Sequence, residues 1–209
     1  MFLPWWPAER IVRRFARSRP DAVLLVRSER GRQVVAHRCS RAHRAGVRSG
    51  MNLAHARALL AGCIVHVENE DAVGQRTWLL ALARWAARRW SPVVSVDGTD
   101  GLLLDTTGCG HLFGGEARLI TAIERGVRAL GLTPRIGAAG TIGTAWAAAR
   151  FGSAQHRMVC SGREREALAP LPTPALRIDP DSVDALAEVG IDRIGQLLDV
   201  PRHSLPIRY

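Results

Sequence analysis

Val94-Ser-Val-Asp-Gly-Thr-Asp-Gly-Leu-Leu-Leu-Asp-Thr-Thr-Gly108 decides how the rest of this chain is read. Its flanks are apolar and β-prone. Asp-Gly occurs twice, at 97–98 and at 100–101, a strong local signal for a hairpin. Two short strands joined by a tight turn are expected, with three carboxylates, Asp97, Asp100 and Asp105, at or near that turn. Carboxylates at a hairpin tip are a place to hold divalent metals, and two metals roughly 3.5–4 Å apart need several bridging carboxylates. Which acids are present, and which are missing, is the chemical question this stretch poses.

Upstream of it, Gln75 to Trp90 has helical periodicity. Trp78, Leu79, Leu82, Trp85 and Ala86 share one face, and Arg84, Arg88 and Arg89 lie largely opposite. The seven-residue spacing of Trp78 and Trp85 assigns them to the core rather than to base stacking. Downstream, Glu116 to Leu130 reads as a second helix ended by Gly131, Arg135–Ala139 as a strand, 141–151 as a helix and Arg157–Cys160 as a strand. The segment 74–160 therefore runs helix, strand, strand, helix, strand, helix, strand. Two helices on one face of a mostly antiparallel sheet is the ferredoxin-like arrangement, and the fold class is α+β. The glycines of Ile136-Gly-Ala-Ala-Gly-Thr-Ile-Gly143 are spaced GxxGxxG, not GxGxxG, and no acid follows at a suitable distance. They mark a closely packed strand-to-helix turn.

Nearer the N-terminus, residues 9–18 have helical spacing, and Ala22–Val26 and Val34–Ala36 read as strands joined by a turn at Glu29-Arg-Gly31. A short helix is expected from about Ser40 to Ala45, ended by Gly46. Another is capped by Asn52, runs to about Leu60 and stops at Gly62, and Ile64–Val67 forms a further strand. Toward the other end, Ala169-Pro-Leu-Pro-Thr-Pro174 reads as a proline-rich linker. After it, Val183 to Leu198 forms helix, Gly190-Ile191 turn, helix, with Leu186, Ile191, Ile194 and Leu197 packing together. This is a helix-hairpin-helix pattern. Such a unit holds a DNA phosphate on backbone N–H groups at the start of its second helix, without base contacts. An ordinary pair of packed helices is the alternative.

The 209 residues carry 29 basic and 19 acidic side chains, a formal net charge of +10. Every one of the basic residues is arginine. The positive balance suits a polyanionic partner, most simply nucleic acid. The absence of lysine excludes Schiff-base chemistry and a Walker-type phosphate lysine. Cys39, Cys63, Cys109 and Cys160 form no CxxC pair, which argues against structural zinc, and Cys109-Gly-His111 reads as a loop at a strand end. No apolar run reaches the roughly 18–20 residues of a membrane span. The first residues, Met1-Phe-Leu-Pro-Trp-Trp-Pro7, lack the basic start and cleavage site of a secretory signal, so a cytoplasmic protein is expected.

Several segments, in order, resemble one family. Ala45-Gly-Val-Arg-Ser-Gly-Met51 is similar to the fingers motif of the Y-family (UmuC-like, translesion) DNA polymerases. Gly101–Gly108 is similar to the palm motif after their catalytic Asp-Glu pair, Leu132–Ala139 to a palm strand, and Gly190–Leu197 to their thumb. The ImuB-type branch is the nearest, through Leu3-Pro-Trp-Trp-Pro-Ala-Glu-Arg10, residues 108–116 and Leu168-Ala-Pro-Leu-Pro172. The resemblance implies a polymerase palm at 1–9 and 73–162, small α/β fingers at 10–72, and a partial thumb with the helix-hairpin-helix at 163–209. The little finger and C-terminal tail expected after a thumb are absent from the chain, which ends at Pro206-Ile-Arg-Tyr209 and reads as truncated. Apolar thumb surface is then expected to be exposed, with proteolysis near Pro170–Pro174. It implies a non-catalytic accessory or scaffold in error-prone translesion synthesis, SOS mutagenesis and DNA damage repair. Such a protein binds DNA and bridges the sliding clamp, a RecA-like partner and an error-prone replicative-type polymerase.

The departures from the active polymerases agree with this. The opening strand, read as Phe2–Trp6, carries no acid, and none appears before Glu9. The family's Asp-Glu pair falls on Asp97-Gly98 or on Asp100-Gly101; in either alignment the Glu is Gly. One Asp binds Mg²⁺ only weakly, because the ion gives up its waters reluctantly. Asp105, at the far end of its strand, reads as a structural cap. The family positions that grip the incoming nucleotide fall on Ser40, His43 and Ser153, with Arg41 and Arg44 close by in sequence. No catalytic residue, nucleotide-binding residue or cofactor is expected, beyond weak Mg²⁺ at Asp97 and Asp100. Gly190, Ile191, Arg193 and Gly195 are the expected DNA contacts. Two other readings stay open: an active Y-family DNA-directed DNA polymerase using Asp97, Asp100 and Asp105 together with Mg²⁺, and a palm-like protein-interaction module without DNA binding.

Overall fold

The computed structural model describes residues 1–15, 19–153 and 158–201. The chain divides into two compact units, Leu3–Cys109 with Ala122–Pro134, and Met1–Phe2 with Gly110–Thr121 and Arg135–Tyr209.

The first unit opens with α1 (Trp6–Val12), which has Pro7 in its first turn, where a missing N–H does no harm. This corrects the expected opening strand at Phe2–Trp6 and moves the first helix forward from 9–18. Trp5 is already the helix cap, and residues 16–18 lie outside the described residues. β1 (Ala22–Glu29) and β2 (Arg32–Arg38) form the expected hairpin. Arg30 (φ 48°) and Gly31 (φ 75°) both adopt the left-handed conformation that suits a two-residue turn. Helices α2 (Ser40–Arg44) and α3 (Leu53–Leu59) follow, and the Asn52 side chain caps α3 by accepting from Ala54 N at 2.8 Å. β3 (Val65–Asn69) then returns parallel to β1, giving the order β2-β1-β3. As the central strand, β1 is buried without interruption from Ala22 to Val26. It anchors a core with Ala8 and Ile11 of α1, Ala42 of α2, Val47, and Leu53 and Ala56 of α3.

The same unit continues into α4 (Ala72–Ala87), which starts earlier than expected because the Asp71 carboxylate accepts from Gly74 N at 2.8 Å. It packs on β4 (Val93–Asp97), which pairs antiparallel with β5 (Gly101–Asp105). Leu79, Leu82, Ala86 and Leu102 are buried here. Trp78 stacks on Trp6 (4.9 Å, 11°) and Trp85 meets Trp90 edge-on (4.8 Å); both α4 tryptophans are half-buried rather than in the core that their spacing indicated. α5 (Glu116–Ala129) ends near Gly131 (φ 72°). Gly126 of α5 is required: a Cβ there would lie 3.1 Å from Trp90 Cη2 and 3.4 Å from Trp85 Cη2.

In the second unit, β6 (Ala138–Ala139) pairs parallel with β7 (Met158–Val159), and α6 (Ile142–Phe151) packs on both. Thr141 caps α6, its hydroxyl oxygen accepting from Thr144 N at 3.3 Å. A side chain at Gly137 would collide with the Ala145 carbonyl and the Ala149 nitrogen, so the close packing inferred from the glycine spacing is present. The expected strand Arg135–Ala139 shrinks to these two residues and an antiparallel bridge between Arg135 and Phe2. Arg157, the expected start of the last strand, is outside the described residues. Among the described residues, the single sheet expected for 74–160 is thus two separate two-stranded pairs, while the α+β class stands.

The segment Ala169–Pro174, expected as a linker, is instead part of the second unit's packing. It lies between α7 (Glu164–Leu168) and a 3₁₀ turn, Thr173–Leu176, and Thr173 and Ala175 are buried. Ala175 joins Ala147 and Ile194 in a small core flanked by Trp146, Leu168, Leu171 and Leu176. α8 (Pro180–Glu188) and α9 (Ile194–Asp199) complete the unit. Val189 and Leu198 are exposed. Among the described residues no helix is long and apolar enough to cross a membrane.

Candidate functional site

The β4–β5 hairpin places two of its three acids at the tip. Asp97 is the last residue of β4 and is 8% exposed; Asp100 is half-buried in the turn that leads to Gly101. Gly98 (φ 58°) makes the turn possible. The turn is held from the N-terminus: Leu3 N donates to the Asp100 carbonyl at 2.8 Å, and Trp6 Nε1 to the Thr99 carbonyl at 3.0 Å. Asp105 is elsewhere. It pairs with Val93 at the opposite end of the ladder, four residues of strand, or roughly 13 Å, from Gly101. Its carboxylate accepts from Thr107 N at 3.0 Å, and the bonds from Thr107 hold it below the ordinary carboxylate range. The Ser91 hydroxyl donates to its backbone carbonyl. Of the three acids expected at or near the turn, two stand at it, and Asp105 caps the far end of its strand, as its position indicated. Among the described residues no three His, Cys, Asp or Glu side chains come together to hold a metal ion. The acids present do not fit a two-metal centre.

Ser40 is the first residue of α2, half-buried, and His43 lies one turn on. His43 packs against Trp5 in a tilted contact (4.6 Å, 38°), and the Arg38 guanidinium lies 5.4 Å from the Trp5 ring centre. Arg38 Nη2 sits 3.2 Å from His43 Nδ1, and Arg38 Nη1 donates to Ser49 Oγ at 2.8 Å. A guanidinium can only donate, so His43 Nδ1 accepts and the ring is neutral with its proton on Nε2. Burial, then Arg38 and Arg48, push the His43 pKa further down. Burial and Arg48 likewise lower that of Arg38. Arg48 Nη1 donates to the carbonyls of His43 (3.0 Å) and Val47 (3.1 Å). Arg41 pairs with Asp21 at 3.1 Å, whereas Arg44 is exposed. Trp5, Arg38, Arg48 and Ser49 were not singled out from the sequence. The Trp-Trp pair was a usable signal, but reading it as a strand concealed that Trp5 turns toward α2.

The remaining candidates lie in the second unit. Ser153 is exposed just beyond α6. Gly190 (φ 80°), Ile191, Arg193 and Gly195 do form the turn between α8 and α9. Their N–H groups are all in use: Gly190 N donates to Ala187 O, Ile191 N to Leu186 O, and Gly195 N to Ala169 O, each at 2.8–2.9 Å. Ile194 N donates to Leu171 O at 2.9 Å. Gln196 Oε1 accepts from Asp192 N (3.0 Å) and Arg193 N (2.8 Å), and its Nε2 donates to Gly190 O (3.2 Å). The expected phosphate site on these backbone amides is thus corrected: the chain itself consumes the donors. The Arg193 side chain stays exposed, with one bond from Nη1 to Pro170 O at 3.3 Å. Cys109 is buried with its thiol toward Thr107 O, and His111 is exposed in a 3₁₀ turn, Gly110–Phe113.

Comparison with known proteins bears on these geometries. The model of the impB/mucB/samB family matches residues 8–150. Protein ImuB of Caulobacter vibrioides (strain NA1000 / CB15N) is 37% identical over 164 residues, which are 78% of this chain and 35% of the relative. DNA polymerase IV 2 of Mesorhizobium japonicum is 37% identical over 111 residues, 52% of this chain and 27% of the relative. The chain thus spans about a third of the length of these relatives. Among solved structures, DinB from Sulfolobus solfataricus superposes with a TM-score of 0.72 at 15% identity, over 97% of this chain and 59% of that one. A Y-family DNA polymerase chimera, Dbh-Dpo4(243-245)-Dbh, superposes at 0.74 and 16% identity, over 98% of this chain and 60% of that one. At such identities the likeness shows the fold, a Y-family polymerase palm and fingers, and not the chemistry.

Proposed function

Because this chain belongs to the impB/mucB/samB family of Y-family polymerase-like proteins, we propose that it is a non-catalytic member that binds DNA as an accessory to error-prone translesion synthesis. We assign residues 1–9 and 73–162 to the palm, 10–72 to the fingers and 163–209 to a partial thumb. The observation that carries the reading is the Trp5–His43–Arg38 cluster. His43 stands where the resemblance puts a triphosphate-gripping side chain. Here it is uncharged, it uses its Nδ1 as an acceptor, and its face is covered by Trp5. A phosphate needs donors and positive charge at that point; the neutral ring carries no charge, and its Nδ1 already accepts from Arg38. The acid set at the hairpin tip supports the same reading.

DNA contact is assigned to arginine side chains, with Arg193 the thumb candidate in place of the occupied amides. The sliding clamp, a RecA-like partner and an error-prone replicative-type polymerase are the proposed partners of the whole protein. Primer extension and DNA binding, run on one preparation, test this. Binding to primer-template DNA should fall steeply with salt, and Arg193→Ala should reduce the slope of log K against log salt by about 1. No magnesium-dependent extension should appear. Extension that Asp97→Ala or Asp100→Ala abolishes would establish instead the active polymerase, a reading that the DNA polymerase IV 2 relative favours. Absence of binding even at low salt would leave a protein-interaction module.

A further inference from the structure

Helix α4 has a second face that the fold does not use. Its buried side is Gln75, Leu79, Leu82, Ala83 and Ala86. About a third of a turn round the helix from this side stand Val73, 79% exposed, and Leu80, 38% exposed. Seven residues apart on one helix, they lie on the same face about 10 Å from each other. Arg76, Arg84 and Arg88 flank them and are all exposed. None of the three guanidiniums has a hydrogen bond or ion pair with any described residue. The nearest acid in sequence, Asp71, is committed to capping α4 through Gly74 N. Thr77, also on this face, turns its hydroxyl back to the Val73 carbonyl at 3.0 Å, which removes its polarity from the surface. The result is an apolar ridge between unpaired cations.

We propose that this face of α4 docks an acidic amphipathic helix of a partner protein, with apolar residues at heptad spacing against Val73 and Leu80 and carboxylates opposite Arg76, Arg84 and Arg88. The pattern is that of a helix-pairing seam, in which a narrow apolar stripe supplies contact and flanking charges choose the partner. Charge complementarity fixes the occupant. A second copy would set arginine against arginine. A DNA backbone would meet the three guanidiniums but would press phosphates onto two exposed aliphatic side chains, whose dehydration it cannot compensate. The site goes beyond the DNA-binding role and does not depend on it, since it uses neither the hairpin tip nor Arg193.

The test uses the full chain, isotopically labelled, and a synthetic amphipathic peptide with leucines at heptad positions flanked by glutamates. The peptide should shift backbone amide resonances along 73–88, and the double variant Arg76→Glu/Arg84→Glu should bind it roughly tenfold or more weakly. A peptide with those glutamates replaced by arginine should regain binding to the double variant, which separates a lost contact from a damaged fold. Unaltered affinity of the double variant, shifts confined to other surfaces, or no binding would overturn the proposal. Duplex DNA that shifts the 73–88 resonances of the wild type but not of the double variant would overturn it in favour of nucleic acid. Concentration-dependent dimerisation lost on Leu80→Asp would overturn it in favour of a second copy.

Discussion

The hairpin turn at 98–100 and the helical turn at 190–193 are both built around glycine and aspartate, and both matched ligand-binding motifs. The chain ties them down by opposite ends of the peptide group. At the hairpin, the carbonyls of Thr99 and Asp100 accept from Trp6 and Leu3. At the helical turn it is the N–H groups that are taken, by neighbouring carbonyls and by Gln196. The first turn keeps acids but too few for a metal pair; the second keeps its shape but has no donors left for a phosphate. A motif fixes which groups are present, and the surrounding hydrogen bonds decide which of them remain on offer.

Breaking the first brace should have the largest effect. Trp6→Ala removes a fully buried ring, its stack on Trp78 and the bond to Thr99, and should cost about 3–5 kcal/mol in denaturant unfolding. Trp6→Phe, which removes the hydrogen bond and part of the buried ring, should cost about 1–3 kcal/mol and speed amide exchange at the hairpin. Next come the glycines. Gly98→Ala (φ 58°) and Gly190→Ala (φ 80°) face open space, so each should cost only the strain of a left-handed residue, about 1–2 kcal/mol, and by similar amounts. Unequal losses in thermal melts would show that one turn is more than a backbone bend. Gln196→Ala should follow at about 1 kcal/mol, since water replaces the side chain at this exposed turn. If the freed amides do serve phosphate, that variant should bind DNA more tightly.

The smallest effect is in the pH profile. Asp105, by the hairpin, and Asp179, capping α8, are both held below the ordinary 3.8 by bonds from Thr107 and from Ser182. Their contribution is present above that value and lost as pH falls through the folded-state pKa. Glu9 has the opposite sign. Burial raises it above 4.5 and outweighs the bonds from Thr133, so folding favours its protonated form. Its contribution is present below 4.5 and lost as pH rises through the folded-state pKa. Stability followed by denaturant titration should therefore rise slightly on mild acidification, and then fall. Glu9→Gln should remove the rise and leave the fall.

Much of the fold was legible because it is local. The Arg30-Gly31 turn, the caps at Asn52 and Thr141 and the face carrying Leu79 and Leu82 all follow from neighbours within a few residues. The α+β class followed from their order. What was misread depends on contacts distant in sequence. Thr173 is buried because its N–H meets Asp192 O and its neighbour Ala175 packs with Ala147 and Ile194, so a proline-rich stretch that looks like a linker is part of a core. The site was legible largely as a set of residue types. That Asp105 caps at the far end of its strand was legible; that His43 lies against Trp5 and that Gln196 occupies two amides are facts about partners, and a single sequence does not name them.

The bonds of the first ten residues carry a consequence for biosynthesis. Trp6 finds Trp78 and Thr99, Leu3 finds Asp100, and Glu9 finds Thr133. None of these partners has been synthesised when residues 1–10 emerge. At about 5–20 residues per second, Trp6 waits on the order of 5–20 s for the hairpin, an indole exposed on the nascent chain until then. Slowing translation between codons 10 and 100 should lower the soluble yield more than the same delay placed after codon 135.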